Sequence, residues 1–306
     1  KLPMKLGSKV SINPVGKELL FFSLPLLGVS MLLMIISWTD TLMLGYFKTS
    51  DIVGLYNAAS PLAHFTNVPI GAMLFLYAPI ISGLYAQNLL PELRRNYIII
   101  TKWSFSVTLP IILIFILFPE IVLSTLFGAN YIVASQALRI LSIGFIIVNL
   151  LGPNGTTLMV IGETRFLMWA SMAAAGTNIA LNVALIPPLG IVGASIATAV
   201  SLALHCIIRH IKVHSLLKVN PLTKNLLKPA IIAVSLIFAI YLSVGYFLNV
   251  TFWMLPIIFV LFYTLYFMVM LFSRSFDRED IDMFIAIEQK VGIDTTPLRK
   301  ILRRFL

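Results

Sequence analysis

The sequence predicts an all-α membrane protein of eight transmembrane helices, six forming one lobe and two appended to it. Three observations predict this. Of 306 residues, 59% are hydrophobic and 11% charged, where soluble domains carry roughly 45–50% and about 25%. That much apolar surface needs lipid as its solvent. The apolar residues come in runs of about 20, the length that crosses a hydrocarbon core of about 30 Å. Between the runs, connecting segments rich and poor in Lys and Arg alternate.

The runs are 19–44, 58–85, 98–118, 134–161, 166–186, 191–208, 229–247 and 253–272. The first ends in Trp38-Thr39-Asp40, an aromatic and a carboxylate expected near the outer headgroups. The second carries Pro61, Pro69 and Pro79, which remove backbone donors and kink or break a helix that lines a wet passage. The third opens near Trp103. The fourth holds Asn149 and then Gly152-Pro153-Asn154-Gly155. The fifth carries Asn178 and Asn182, spaced to share one helical face. It also has Ala173, Ala174, Ala175 and Gly176, while the sixth has Gly193, Ala194, Ser195, Ala197, Thr198 and Ser201. Small residues let helices approach closely. The seventh and eighth are continuous apolar runs that form a two-helix appendage. Outside the spans lie an N-terminal or inter-lobe segment (1–18), a basic cytoplasmic loop (209–228) and a tail (273–306). In the tail, Thr296 caps a helix with Leu298, Ile301, Leu302, Phe305 and Leu306 on one face and Arg299, Lys300, Arg303 and Arg304 on the other. Such a helix suits either an anionic inner leaflet or the protein's own loops.

Orientation follows from charge. Twenty of the 22 Lys and Arg fall in alternate segments, Arg94, Arg95, Lys102 and Arg165 among them; only Lys48 and Arg139 fall in the others. Positive charge is retained on the cytoplasmic side, so both termini are expected there, in a multi-pass protein of the plasma membrane. The net charge of +10 therefore reports topology, and nucleic acid is not expected as a partner. The first run is too long for a signal-peptide core and lacks a small-residue cleavage site. The single cysteine, Cys206, excludes an intramolecular disulfide and a thiol metal site.

Function is sought among polar groups at membrane depth, which normally face a cavity or another helix. Asp40 and His64 fall at similar depth, and such a pair can bind a proton or Na⁺. Alternatively, Asp40 simply sits at the headgroup boundary. Asn149, Asn154, Asn178 and Asn182, with Arg139, are candidates to line a substrate cavity. The asparagines equally suit hydrogen-bonded packing between helices. There is no phosphate-binding Gly-rich loop with Lys, no His-Glu-x-x-His and no Gly-x-Ser-x-Gly, so ATP use and hydrolase chemistry lack their parts and no catalytic residue or cofactor is expected.

Several segments together resemble one family. They are Trp38-Thr39-Asp40-Thr41-Leu42-Met43-Leu44-Gly45-Tyr46-Phe47, Val53-Gly54-Leu55-Tyr56-Asn57-Ala58-Ala59, Leu126-Phe127-Gly128-Ala129-Asn130-Tyr131, Leu138-Arg139-Ile140-Leu141, and Leu185-Ile186-Pro187-Pro188-Leu189-Gly190-Ile191-Val192-Gly193-Ala194-Ser195-Ile196-Ala197-Thr198. In this order they resemble the second lobe of oligosaccharide flippases, the polysaccharide-transporter branch of the multidrug/oligosaccharidyl-lipid/polysaccharide superfamily. The resemblance implies a two-lobe transporter of which this chain supplies the second lobe and its two-helix appendage, with an N-terminal lobe expected in a full-length protein. It implies movement of a lipid-linked oligosaccharide from the inner to the outer leaflet by alternating access, with ion coupling in some relatives. Two alternatives stay open: a cation-coupled multidrug exporter of the same superfamily, and a membrane-embedded glycosyltransferase or polymerase. The latter would need catalytic groups on a large outer loop, whereas the outer loops are short.

Overall fold

The computed structural model describes residues 12–247 and 254–272, and among them every regular element is helical. The amphipathic tail lies outside the described residues. The helices are α1 (Ile12–Phe47), α2 (Ser50–Phe65), α3 (Val68–Ala86), α4 (Leu90–Leu117), α5 (Pro119–Phe127), α6 (Ser135–Leu150), α7 (Asn154–Val160), α8 (Thr164–Leu189), α9 (Ile191–Leu217), α10 (Lys224–Phe247) and α11 (Met254–Phe272). Six segments are long and apolar enough to cross a membrane: Gly16–Phe47, Val68–Ala86, Leu90–Leu117, Ala129–Leu150, Thr164–Leu189 and Ile191–Leu217. The seventh and eighth expected spans correspond to α10 and α11, which carry the shorter apolar stretches Leu226–Leu242 and Phe259–Phe272. The chain is a multi-pass membrane protein.

Helix α4 is the pillar of the lobe, packed by α3, α6 and α10, while α8 lies between α1 and α9. The small residues foreseen for spans five and six explain the second arrangement. Ala174, Ala194 and Ala197 are buried. Gly144 of α6 lies so close to α9 that a Cβ there would sit 2.8 Å from Ala199 Cα. The outward faces of α8 (Trp169, Met172, Ile179, Val183) and α10 (Leu227, Ile231, Val234, Phe238) are apolar, as lipid requires.

Four sequence expectations change. Span two, drawn as one helix from 58 to 85, begins earlier and is two helices: α2 starts at Ser50 and ends at Phe65, and α3 restarts with proline in its first turn. Span four likewise ends at Leu150, and α7 is a separate short helix after Gly152-Pro153. These two broken helices pair, α2 on α6 and α3 on α7. Lys102, counted with a basic loop, lies inside α4 and is 5% exposed, because that helix begins at Leu90 with Pro91 at its start. Finally, α9 continues to Leu217, so Arg209 and Lys212 of the expected loop 209–228 stand on a helix, and the connection is 218–223.

Candidate functional site

Asp40 is buried, and its carboxylate is held by neutral donors from three other helices. Oδ1 accepts hydrogen bonds from Asn182 Nδ2 (2.7 Å) and Asn178 Nδ2 (3.3 Å) of α8. Oδ2 accepts from the Tyr56 hydroxyl of α2 (2.6 Å) and from Thr198 Oγ1 of α9. The amides are themselves linked, Asn182 Nδ2 to Asn178 Oδ1 at 3.1 Å, and Asn178 Nδ2 reaches Thr198 Oγ1 (3.3 Å) and Ser201 Oγ (3.4 Å). Asp40, Asn178, Asn182, Thr198 and Ser201 are all at most 4% exposed. The helical repeat builds the cluster: residues 178 and 182 are four apart on α8, and 198 and 201 three apart on α9, so each pair shares a face.

The two carboxylate oxygens differ chemically. Amide N–H groups only donate, whereas hydroxyls both donate and accept. A proton arriving on Oδ2 is therefore accommodated by rotating the Tyr56 or Thr198 hydroxyl, with Oδ1 undisturbed. A hard monovalent cation also finds a donor set made of oxygen alone: the carboxylate, the Thr198 hydroxyl and the amide oxygens. One of these, Asn182 Oδ1, is buried without a hydrogen-bond partner. A buried acceptor without a donor is costly, by about 1–3 kcal/mol, and a cation beside it is a complement that removes the cost. An oxygen-only set of this kind suits H⁺ or Na⁺ better than a softer transition metal.

His64, paired with Asp40 by the sequence reading, is not among its partners. Eight residues beyond Tyr56 it sits about 12 Å further along α2 and turned some 80° about its axis. It is exposed, its Nδ1 2.9 Å from Ser60 O and its ring edge-on to Phe145 at 5.0 Å. Asn149 joins α6 to α4, accepting from Thr108 Oγ1 (3.2 Å) and Ser104 Oγ (3.4 Å) while donating to Phe145 O. Asn154 donates to Cys206 Sγ of α9 at 3.0 Å. Both are buried inside the lobe and bonded, so they act there as packing contacts between helices. Arg139 bonds Ile116 O and the Glu120 carboxylate (2.8 Å) at the surface. Of the expected cavity candidates, only Asn178 and Asn182 meet, and they meet Asp40. Tyr56 and Thr198 were not foreseen in this role.

The open polar face lies elsewhere. On α1 and α2, Trp38 is 57% exposed, and Thr41 Oγ1 donates to the exposed Asn57 (3.1 Å) directly beside the buried Asp40–Tyr56 bond. Asn57 follows Tyr56 in sequence, and Thr41 follows Asp40, so each helix turns one residue inward to the cluster and the next outward.

A sequence model of a family described as "Polysaccharide biosynthesis protein" matches residues 2–136. The chain is similar to an uncharacterized membrane protein of Methanocaldococcus jannaschii, 29% identical over 171 residues, which are 54% of this chain and 33% of that protein. It is similar to the probable low-salt glycan biosynthesis flippase Agl15 of Haloferax volcanii, 26% identical over 56% of this chain and 36% of the relative. With the probable flippase AglR of the same organism it shares 30% identity over 56% of this chain and 37% of the relative. The chain thus spans little more than a third of the length of these curated relatives. No solved structure matches it. Helical membrane architecture, family match and flippase-named relatives agree: the chain is similar to membrane proteins of polysaccharide biosynthesis, probable flippases among them.

Proposed function

We propose that this chain is a lobe of an ion-coupled transporter that moves lipid-linked oligosaccharide from the inner to the outer leaflet by alternating access. The observation that carries the reading is the Asp40 cluster, which ties α1 to α2, α8 and α9 immediately behind an exposed polar face. Loading Asp40 with H⁺ or Na⁺ changes what its oxygens can accept. The Tyr56 and Thr198 bonds are then remade, and α1 and α2, which carry the polar face, shift relative to α8 and α9. An equilibrium moves only as far as the ion's affinity differs between the two arrangements.

The glycan head travels along the α1–α2 face in this reading. Trp38 offers an aromatic plane for the C–H face of a sugar ring, and the amide of Asn57 bonds hydroxyls. The lipid tail stays in the bilayer, and a second, N-terminal lobe closes the passage opposite. The ends bearing Arg94, Arg95, Arg165 and Lys212 face the cytoplasm of a plasma-membrane protein, by the positive-inside rule. The chain acts as a transporter and not as an enzyme. An exporter of amphipathic cations would use acids on the passage wall; here the acid of α1 is turned inward and its neighbours on the face are neutral.

The test is translocation of a fluorescent lipid-linked oligosaccharide by the native protein in proteoliposomes, read by an impermeant quencher. Transfer between leaflets is expected. Trp38→Ala and Asn57→Ala each lower its rate about tenfold, the effect of losing roughly 1.4 kcal/mol of binding to the moving head, while Trp169→Ala on the apolar face of α8 leaves it unchanged. Efflux of hydrophobic cations without glycan transfer would establish the exporter instead.

A further inference from the structure

Among the buried titratable side chains that the Asp40 reading leaves unused, one stands beside its cluster. His205 is 3% exposed and stands in α9, within a segment apolar enough to span the membrane. An ionisable group at such depth is a candidate for function, since a charge there is costly. Its Nε2 lies 3.2 Å from Ser171 Oγ of α8. The pair is a buried polar contact between two helices whose neighbouring small residues, Ala170 and Ala174, are buried and apolar.

The position of the pair is informative. Thr198, Ser201 and His205 follow one another at intervals of three and four on α9, on a single face. On α8, Asn182, Asn178 and Ser171 make the facing stripe. A polar seam therefore runs from Asp40 through Asn178 to Ser201 Oγ, and its next members towards the basic end are His205 and Ser171. From Ser201 to His205 the helix rises about 6 Å, and helical side chains lean towards the N-terminus, which carries the imidazole towards Ser201. Beyond His205, Arg209 Nε donates to His205 O (3.3 Å), and the Lys212–Glu163 ion pair (3.2 Å) stands at the end of the seam.

We propose that His205 is the station through which protons reach Asp40 from the basic end of the lobe. The proposal rests on Asp40 being the coupling group and adds that the coupling ion is H⁺. One ring nitrogen takes up a proton as the other releases one towards Ser201. The Ser201 hydroxyl, which rests on Thr198 O (3.0 Å), turns to the Thr198 hydroxyl, which donates to Asp40; each accepts one proton and passes one on, and the Asp40 carboxylate ends as a carboxyl. The imidazole is neutral before and after, its ring proton having moved from one nitrogen to the other. Around His205, the charged or titratable groups include Arg209, Cys206, His210 and His214 on α9, Tyr97 of α4 beside Arg209 and Cys206, Asp40 of α1 and Tyr56 of α2 beyond Ser201, His64 at the far end of α2, and Lys212 with Glu163 at the mouth. Helix α6 adds only Arg139, held at the far end by Glu120, and α7 adds none; Arg165 of α8 lies over the Phe21 ring.

The experiment measures glycan translocation by the native protein in proteoliposomes while the pH on the basic side is varied from about 5.5 to about 8.5, with Na⁺ present or absent. Wild type is expected to change rate about tenfold across this range without needing Na⁺, as a route limited by proton supply from the basic side does. His205→Gln loses about tenfold in rate and its residual rate no longer follows pH, although the variant still binds the lipid-linked glycan. Ser171→Ala keeps the imidazole and removes only its partner, so it remains informative if His205→Gln does not fold; its rate falls severalfold and its pH profile shifts. If both variants keep the wild-type pH profile while Asp40→Asn is inactive, the proton route is wrong and Asp40 still couples. If Asp40→Asn is as active as wild type, the coupling reading itself fails and takes this inference with it.

Discussion

Asp40→Asn is expected to lower glycan translocation about 1,000-fold, within the range lost when a positioned proton-transfer group is removed, while the protein stays folded. The substitution keeps the shape and one acceptor oxygen at the centre of four helices, so the Asn182 or the Tyr56 contact survives. It removes the charge that a proton or Na⁺ would neutralise, and it replaces an acceptor by an NH2 group facing donors. Asp40→Ala separates the two roles. It leaves Asn178, Asn182, Tyr56 and Thr198 without their shared acceptor in a buried cluster, at about 1–3 kcal/mol for each donor left unsatisfied. Its expected outcome is loss of folded protein in detergent, not merely loss of rate. Size-exclusion profiles and thermal unfolding distinguish the two variants, and equal stability of Asn and Ala at position 40 would show that the cluster has no structural weight.

The helices were legible in the sequence because lipid imposes a simple rule: apolar runs of the right length, with charge kept to the ends. What eluded it was where one helix stops within such a run. The prolines of span two mark a kink or a break without saying which of them divides it, and its start at Ser50 lies outside the apolar run that hydropathy registers. That offset hid Tyr56. With the turn at Lys48-Thr49, residues 40 and 56 lie eight and seven residues from it on adjoining helices, at about the same height, so Tyr56 becomes a candidate partner once α2 starts at Ser50. The spacing of Asn178 and Asn182 puts them on one face, and both amides reach Asp40. Their assignment to Asp40, instead of to a passage, needed the packing of α1 on α8. Lys102 and Arg209 were taken for loop charges since basic residues near a span boundary read as topology, and nothing in one-dimensional spacing says that a helix has carried them inward.

The largest structural effect outside the cluster is expected at Gly152, where α6 gives way to α7. Gly152 has φ +71, a left-handed conformation that costs an L side chain about 1–2 kcal/mol. A Cβ there would also collide with Thr101 Oγ1 of α4 and come within 3.1 Å of Thr101 Cγ2. Thr101 is not free to rotate without consequence, because its hydroxyl donates to Tyr97 O at 2.7 Å. Tyr97 in turn fastens the same break, its hydroxyl donating to Leu151 O at 2.5 Å. Gly152→Ala therefore combines backbone strain with overpacking of about 1–3 kcal/mol, and the expected loss is about 2–5 kcal/mol of stability. The two costs come apart in a double-mutant cycle with Thr101→Ala. Removing the Thr101 hydroxyl and methyl relieves most of the collision but none of the strain in φ, so the double variant is expected to recover about half of the loss. Thermal unfolding of the four proteins in one detergent measures this. Strict additivity would mean that α4 does not hold the break, and that the left-handed turn of Gly152 alone separates α6 from α7.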